Sequence, residues 1–330
     1  MNGTPSVDSG TRRSGRIGIA IGDPNGIGAE IAIKAACALH AARGMRSVLI
    51  GEAFIVDALC ARLELPAQAR EAFEVYDAGA LAHHDWTPGT VTAAAGAATA
   101  AYVREAIHLL HAGRIDAICA APHSETAVNA AGIPFDGYGG LVADTLGLPR
   151  DQAFLMLEAK GLRVVHCTLH ESVAHAVQRI TPALVVAAAD AARRTLLRMG
   201  FATPRLCVLG INPHAGENGL FGSEDERATR PAVEAMKARG WQVEGPVGAD
   251  LALSERAFDA YVAMLHDQGH IATKMLSPKG ATALVAGLPL LFASVGHGAA
   301  FNIAGQGVAD AAGLSDTLFL LADAVARQSP

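Results

Sequence analysis

Thirteen histidines are spread along the 330 residues, and three of them share a setting that suggests chemistry. His170 in Cys-Thr-Leu-His-Glu, His214 in Ile-Asn-Pro-His-Ala-Gly-Glu and His266 in Met-Leu-His-Asp-Gln-Gly-His each follow a short apolar run at its C-terminal end. In an open α/β sheet that edge is where ligands bind. Three neutral imidazoles meeting there, with coordination positions to spare, would suit a divalent ion acting on substrate oxygens, Zn²⁺ before Fe, Mg, Mn, Co or Ni. The three are too far apart in the chain to form a local motif. His166 and His270, each four residues from one of them, compete for the same roles. His83, His84, His108 and His111 sit in surface-like or helical stretches and read as solvated or satisfied imidazoles.

Charged residues near these histidines extend the pattern. Asp267 directly follows His266, and Asp250 ends the loop Pro-Val-Gly-Ala-Asp. Either can orient a ligand or act as a base, against the plainer reading of a helix cap or turn. Lys274 lies in a stretch with few charges, where a cation could meet a substrate carboxylate, serve as a base if desolvated, or simply be solvated. Near the N-terminus, Gly22-Asp23-Pro24-Asn25-Gly26-Ile27-Gly28 joins a strand to a helix, whose first amides can face an anion or a cofactor. Its glycine spacing matches neither the Rossmann fingerprint nor a Walker loop, so it reads equally as a tight turn without a ligand.

The elements that must carry these residues follow from alternation of short apolar runs with longer amphipathic ones, the sequence form of βα units. Strands are expected at Ile17–Ile21, Ser47–Ile50, Ala117–Ala120, Leu162–Thr168, Arg205–Gly210 and Ala260–Met264. Helices are expected at Glu30–Ala42, Ala93–His111, Pro182–Met199 and Arg227–Arg239. With 51% hydrophobic residues, 35 glycines and only 5% aromatics, the cores are aliphatic, as in parallel sheets covered by helices. The length suits two domains. A net charge of −6, with no basic run beyond Arg12-Arg13 and Arg193-Arg194, gives no footprint for nucleic acid. The longest apolar stretch, Ala281–Val295, is broken by Gly287 and Pro289 and is too short to span a bilayer. The opening MNGTPSVDSGTRRSGR has no apolar run after its charges and reads as a disordered lead-in over residues 1–15. Five scattered cysteines without a Cys-x-x-Cys pair fit reduced thiols and a cytoplasmic setting.

Five stretches, in order, carry a resemblance: GDPNGIGAEI, CAAPHSETAVNAAGIPF, INPHAGENGLFG, MLHDQGH and GHGAAFNIAGQGVAD. Together they resemble the 4-hydroxythreonine-4-phosphate dehydrogenase family from about Ile17 to the C-terminus. The last, with Gly22, Asp23, Gly26 and Gly28, also resembles the wider isocitrate and isopropylmalate dehydrogenase fold. In that fold a C-terminal His-Gly loop receives the adenosine of NAD without a Rossmann motif. The resemblance implies a two-domain α/β fold with its active site in the cleft between the domains. Residues 16–127 with 298–330 would form the first domain, and 128–297 the second. It also implies a homodimer with a shared active site. It selects His170, His214 and His266 as metal ligands, one of them supplied across the dimer. Gly22, Asp23, Gly26, His297, Gly298, Asn302 and Asp310 become the cofactor residues. NAD is the expected cofactor, with NADP open because no acidic residue is tied by spacing to a ribose hydroxyl.

The departures from the family pattern narrow the substrate. Phosphate-using members carry Phe-Pro-Gly-His-Thr-Glu where this chain has Phe135-Asp136-Gly137-Tyr138-Gly139-Gly140. They also place a substrate-contacting Asn and Arg where this chain has Ala283 and Phe292; only Lys274 survives from that set. A phosphate monoester needs charged or amide donors. Apolar and aromatic replacements favour a ring substrate, and Tyr138 and Gly139 are its expected contacts. The stretches around His170 and His266 are similar to the terephthalate cis-dihydrodiol dehydrogenase branch, whose substrate is 1,2-dihydroxy-3,5-cyclohexadiene-1,4-dicarboxylate. The chemistry implied is metal-assisted, NAD-linked oxidative decarboxylation to protocatechuate and CO₂. Asp250 and Asp267 would orient the ligands, and Lys274 would meet a carboxylate or relay a proton. Two other dehydrogenase substrates, phosphothreonate and phosphoerythronate, stand beside 4-phosphohydroxythreonine as alternatives. A zinc hydrolase using the three histidines and Asp267, and an acyl transferase to phosphate, are the readings from other classes.

Overall fold

A computed structural model describes residues 15–278 and 280–328. The lead-in expected over residues 1–15 lies, apart from Gly15, outside the described residues. Eleven strands among the described residues form one sheet: β1 (Ile17–Ala20), β2 (Ser47–Gly51), β3 (Phe73–Asp77), β4 (Ala117–Ala120), β5 (Phe154–Ala159), β6 (Leu162–His166), β7 (Leu206–Leu209), β8 (Val243–Val247), β9 (Ala260–Ala263), β10 (Thr282–Ala286) and β11 (Phe292–Val295). Their order is β3-β2-β1-β4-β11-β10-β5-β6-β9-β7-β8. β3, β2, β1, β4 and β11 run parallel, as do β6, β9, β7 and β8. Between the blocks, β10 and β5 pair antiparallel on both sides. The two blocks therefore point in opposite directions, and their C-terminal edges lie at opposite ends of the central strands. β11, which falls within the 128–297 range expected as the second domain, pairs with β4 of the first block.

The expected strands all form, with ends shifted by a residue or two, and the bounds of Ala93–His111 and Ala117–Ala120 are unchanged. Local chemistry sets the helix ends. Thr92 and Thr181 accept hydrogen bonds from the amides of Ala95 and Leu184, and Pro182 occupies a first-turn position whose missing N–H costs nothing. Gly44 closes the first helix, Gly28–Arg43, in the left-handed conformation. The expected helix Arg227–Arg239 is divided at Ala228 into Glu224–Arg227 and Thr229–Ala238.

Register decides what covers each face. Leu157 pairs with Val164 and Ala283, and Ala283 with Ser294, so these side chains share one face of the sheet. On that face Val164, Tyr261, Ala263, Cys207 and Leu209 form a small core, packed by Ala252 of the helix Ala249–Glu255 and Ala272 of the helix His266–Leu276. On the other face lies the main core, which includes Val165, Val262, Leu206 and Val208 with Val185, Ala188 and Ala192 of the helix Pro182–Arg198. Thr282, one residue from Ala283, bonds to Thr317 of the helix Ala312–Gln328 on that side. The five cysteines are free, four of them buried, and no helix among the described residues is long and apolar enough to cross a membrane.

Candidate active site

The central strands are left uncovered on the small-core side, and a cleft of about 530 Å³ lies over them. Its floor is Leu155, Leu157, Ala283, Val285 and Ser294. β10 is five residues long, so the floor runs about 16 Å between the two C-terminal edges. At one end are Leu169 and His170, beyond β6; at the other are Gly296, His297 and Gly298, beyond β11. The helix His266–Leu276 starts at the histidine edge and flanks the floor. It carries Lys274 about 12 Å along its axis, to a smaller cavity of about 120 Å³ shared with His270, Gly296 and His297.

All three ligand candidates follow strands of the second parallel block, β6, β7 and β9, and so lie on one sheet edge. His170 and His266 come together with ring centroids 5.6 Å apart, and a second cavity of about 440 Å³ is lined by both and by Asp267. Nδ1 of His266 lies 2.7 Å from Oδ1 of Asp267, which fixes the ring and leaves Nε2 for a ligand. His214 stands differently. Its exposed ring lies 3.5 Å from the carboxylate of Glu217 and 5.8 Å from the Phe221 ring. It opens a run of six residues with positive φ, His214 to Gly219. Asp250 is exposed and belongs to this neighbourhood: a Cβ on Gly248 would fall 3.0 Å from Oδ1 of Asp250 and 3.7 Å from Cα of His214. Among the described residues no group of three His, Cys, Asp or Glu side chains is close enough to hold a metal ion.

His166 is removed from competition with His170 by its packing. It is buried under the helix that begins at His266, where a Cβ on Gly269 would fall 2.2 Å from its Nε2. Burial holds its pKa down to about 3, so the ring is neutral. His270 stacks on His266 at 3.7 Å and lines the cleft, and burial with the neighbouring His266 brings its pKa down to about 4. It is a cleft residue that the spacing of histidines could not distinguish from a ligand.

At the middle of the cleft, Tyr138 and Gly139 line the wall. The Tyr138 hydroxyl donates to the Ala121 carbonyl at 2.7 Å, so its polar group is already engaged. Ala283 is floor, whereas Phe292 is fully buried beneath the Tyr138 ring, 5.4 Å away. Sequence reasoning missed His123 and Arg150 on the same wall. His123 packs on Phe135 and Tyr138 and is kept neutral by burial, with its pKa down to about 4. Arg150 is paired with Asp144 through two hydrogen bonds.

Of the cofactor candidates, His297 and Gly298 lie on the cleft rim, and a Cβ on Gly298 would meet nothing within 4 Å. Asn302 and Asp310 are exposed, and Asp310 caps Ala312 at 3.0 Å. The residues of the first loop are instead packed under this one. Gly22 has φ +72 and abuts the Ala121 and Pro122 backbone, and Ala299 fills the space beside Gly26. The Ile27 amide donates to the Ala299 carbonyl, and the Asn25 side chain and carbonyl receive the amides of Thr87 and Gly89. Asp23 is 0% exposed, with Oδ1 accepting from the Asn25 amide and Oδ2 lacking a partner among the described residues; burial raises its pKa to about 6.

Residues 31–320 match the family described as pyridoxal phosphate biosynthetic protein PdxA. A 1,2-dihydroxy-3,5-cyclohexadiene-1,4-dicarboxylate dehydrogenase from Comamonas sp is 46% identical over 93% of this chain and 96% of its own. The solved terephthalate 1,2-cis-dihydrodiol dehydrogenase from Burkholderia xenovorans LB400 is 42% identical, with a TM-score of 0.71 over 94% of this chain and 98% of that one. A solved 4-hydroxythreonine-4-phosphate dehydrogenase from Burkholderia phymatum is 34% identical, with a TM-score of 0.84 over 94% and 98%.

Proposed function

From the premise that this chain belongs to the PdxA family, we propose that it is an NAD-linked, metal-dependent decarboxylating dehydrogenase that converts terephthalate cis-dihydrodiol to protocatechuate and CO₂. The observation that carries this reading is the cleft between the two sheet edges. Its floor is aliphatic at Leu155, Leu157, Ala283 and Val285, with Ser294 as the one polar side chain, and its one tyrosine is bonded to backbone. A flat ring gains by burial on such a floor, whereas a phosphate dianion would find Arg150 already paired and few free charges. Identity to the two dihydrodiol dehydrogenases, 46% and 42%, supports the same branch.

The reaction balances without a further reactant. The C2–H electron pair leaves to NAD, the bond from C1 to its carboxylate breaks with its pair entering the ring, and the proton given up by the C2 hydroxyl returns to that oxygen in the catechol. His170 and His266 fit a divalent ion, since rings 5.6 Å apart can both reach a metal at about 2 Å from each nitrogen. A bound ion would supply Lewis-acid stabilisation of negative charge on the substrate oxygens. Zinc suits an all-imidazole set best. The third ligand, His214, with Asp250 beside it, would come from a second copy in a homodimer. Its exposure supports this, as do the exposed apolar side chains Val173, Leu220, Phe221, Leu251, Ile271 and Met275, all carried between the ligand histidines or just beyond them. Asp267 orients His266, and Lys274 meets a substrate carboxylate or relays a proton. His297 and Gly298 on the open rim would hold the dinucleotide, with residues 16–127 and 298–330 as the cofactor domain and 128–297 as the metal domain.

Paired kcat/KM measurements on terephthalate cis-dihydrodiol and 4-phosphohydroxythreonine test the reading. Each charge-assisted hydrogen bond missing from a phosphate costs about 1.5 kcal/mol or more, so two or three give a preference of about 100-fold or more for the diol. A preference for the phosphorylated compound would return the chain to the branch of the 34% identical relative.

A further inference from the structure

The rim loop that follows His297 is fastened at two points, and one fastening is an ion pair. Glu30, on the first helix, is fully buried, and its side chain crosses to the C-terminal loop. Oε1 accepts from the Ala309 amide at 2.7 Å and Oε2 from the Gly307 amide at 3.1 Å. Lys34, one turn on, donates to Oε1 of Glu30 at 2.7 Å and to the carbonyls of Gly307 and Ala309 at 3.0 and 2.8 Å. The same two loop residues thus give their N–H groups to the carboxylate and their carbonyls to the ammonium. At the other end of the loop, Ala299 accepts from the Ile27 amide at 2.9 Å. The span 300–306, which carries Asn302 and rests Ala300 and Ile303 against the main core, runs between these fixed ends.

From this closed network we infer that Glu30 and Lys34 are positioning residues for dinucleotide binding, setting the rim loop in its cofactor-receiving shape. Neither side chain lines the cleft. A buried ion pair with its other hydrogen-bonding groups satisfied fixes one geometry rather than adding much net stability. The two oxygens and the ammonium can be satisfied together here only with the loop backbone at one height above the helix. The inference rests on the proposed placement of NAD at His297 and Gly298.

Four variants of the full-length protein test it: Glu30→Gln, Lys34→Met, Lys34→Arg and, for the placement itself, Gly298→Val. Steady-state kinetics, calorimetric titration with NAD and thermal melting are measured on each. Weakening the charge-assisted hold on the loop, through the carboxylate in Glu30→Gln and through two ammonium-to-carbonyl bonds in Lys34→Met, should raise the NAD KM and Kd about tenfold or more. The KM for the diol and kcat at saturating NAD should stay within about twofold. Lys34→Arg, which keeps the charge, should recover most of the NAD affinity. Lys34 is partly exposed, so its variants report even if Glu30→Gln does not fold. If Gly298→Val weakens NAD binding while Lys34→Met lowers only the melting temperature, the pair is merely structural and the inference is overturned. If Gly298→Val also leaves NAD binding unchanged, the cofactor lies elsewhere, and both the placement and the inference fall.

Discussion

Replacing Asp23 by Asn should stabilise the protein, and only at neutral and higher pH. Asp23 is wholly inside the protein at the turn after β1, with one carboxylate oxygen bonded to the Asn25 amide and the other unpartnered. Burial raises its pKa from an ordinary 3.8 to about 6, against the smaller opposing effect of that hydrogen bond. The sign follows from proton counts. Below pH 4 both folded and unfolded chains hold the proton and no penalty exists. Between about 4 and 6 the unfolded chain ionises while the folded one stays protonated, so stability falls as pH rises. Above 6 the loss is complete. A shift of about two units at about 1.4 kcal/mol each amounts to about 3 kcal/mol. Asparagine keeps the acceptor for Asn25 and cannot ionise. The stability difference between variant and parent should therefore be about 3 kcal/mol more favourable to the variant at pH 8 than at pH 4, read from urea midpoints and slopes at each pH. A difference that is the same at both values would mean that Asp23 titrates normally and that its burial carries no electrostatic cost.

Three further outcomes probe the histidine edge. Single changes His170→Ala and His266→Ala should abolish bound metal and turnover with the fold intact, and His83→Ala should do neither; metal analysis with circular dichroism decides. Asp267→Asn, which weakens the hold on Nδ1 of His266, should lower zinc affinity about 10- to 100-fold in chelator competition, and unchanged affinity would remove Asp267 from that role. Mixing inactive His214→Ala with inactive His266→Ala under subunit exchange should restore about a quarter of the parent activity, because half of the dimers are mixed and each holds one intact site. No recovery would mean that each site draws all its ligands from one chain.

Much of the scaffold was legible because the parallel strands are buried on both faces and read as unbroken apolar runs, as Ile17–Ala20 and Ala117–Ala120 do. The central strands were not. Phe154–Ala159 and Thr282–Ala286 are apolar too, the second inside the longest apolar stretch of the chain, but their antiparallel pairing has no local signature. The helix His266–Leu276 is hidden in a different way, since its opening His-Asp-Gln-Gly-His has the look of a ligand motif and its polar residues mask the helical period. At the site, strand ends located His170, His214 and His266 on one edge, but spacing alone left His166 beside His170; the family resemblance selected His170, and packing buries His166 under the helix. Likewise, Phe292 is a substitution toward aromatic character in the sequence, and only the structure puts it behind Tyr138. Glu30 and Lys34 were invisible because an i,i+4 pair on a helix usually faces solvent.

The placement of the cleft on β10 and β5 also bears on how this lineage can change. Those two strands join the blocks through backbone hydrogen bonds that are indifferent to side-chain identity, while Leu155, Leu157, Ala283 and Val285 alternate with residues that serve the opposite core. Under the proposed function, exchanging any of these four would alter what the cleft accepts but leave strand pairing, the histidine edge and the proposed dinucleotide rim where they are. Descendants of one ancestor could thus drift between aromatic and phosphorylated substrates by a few point changes in the floor, inheriting the redox machinery intact.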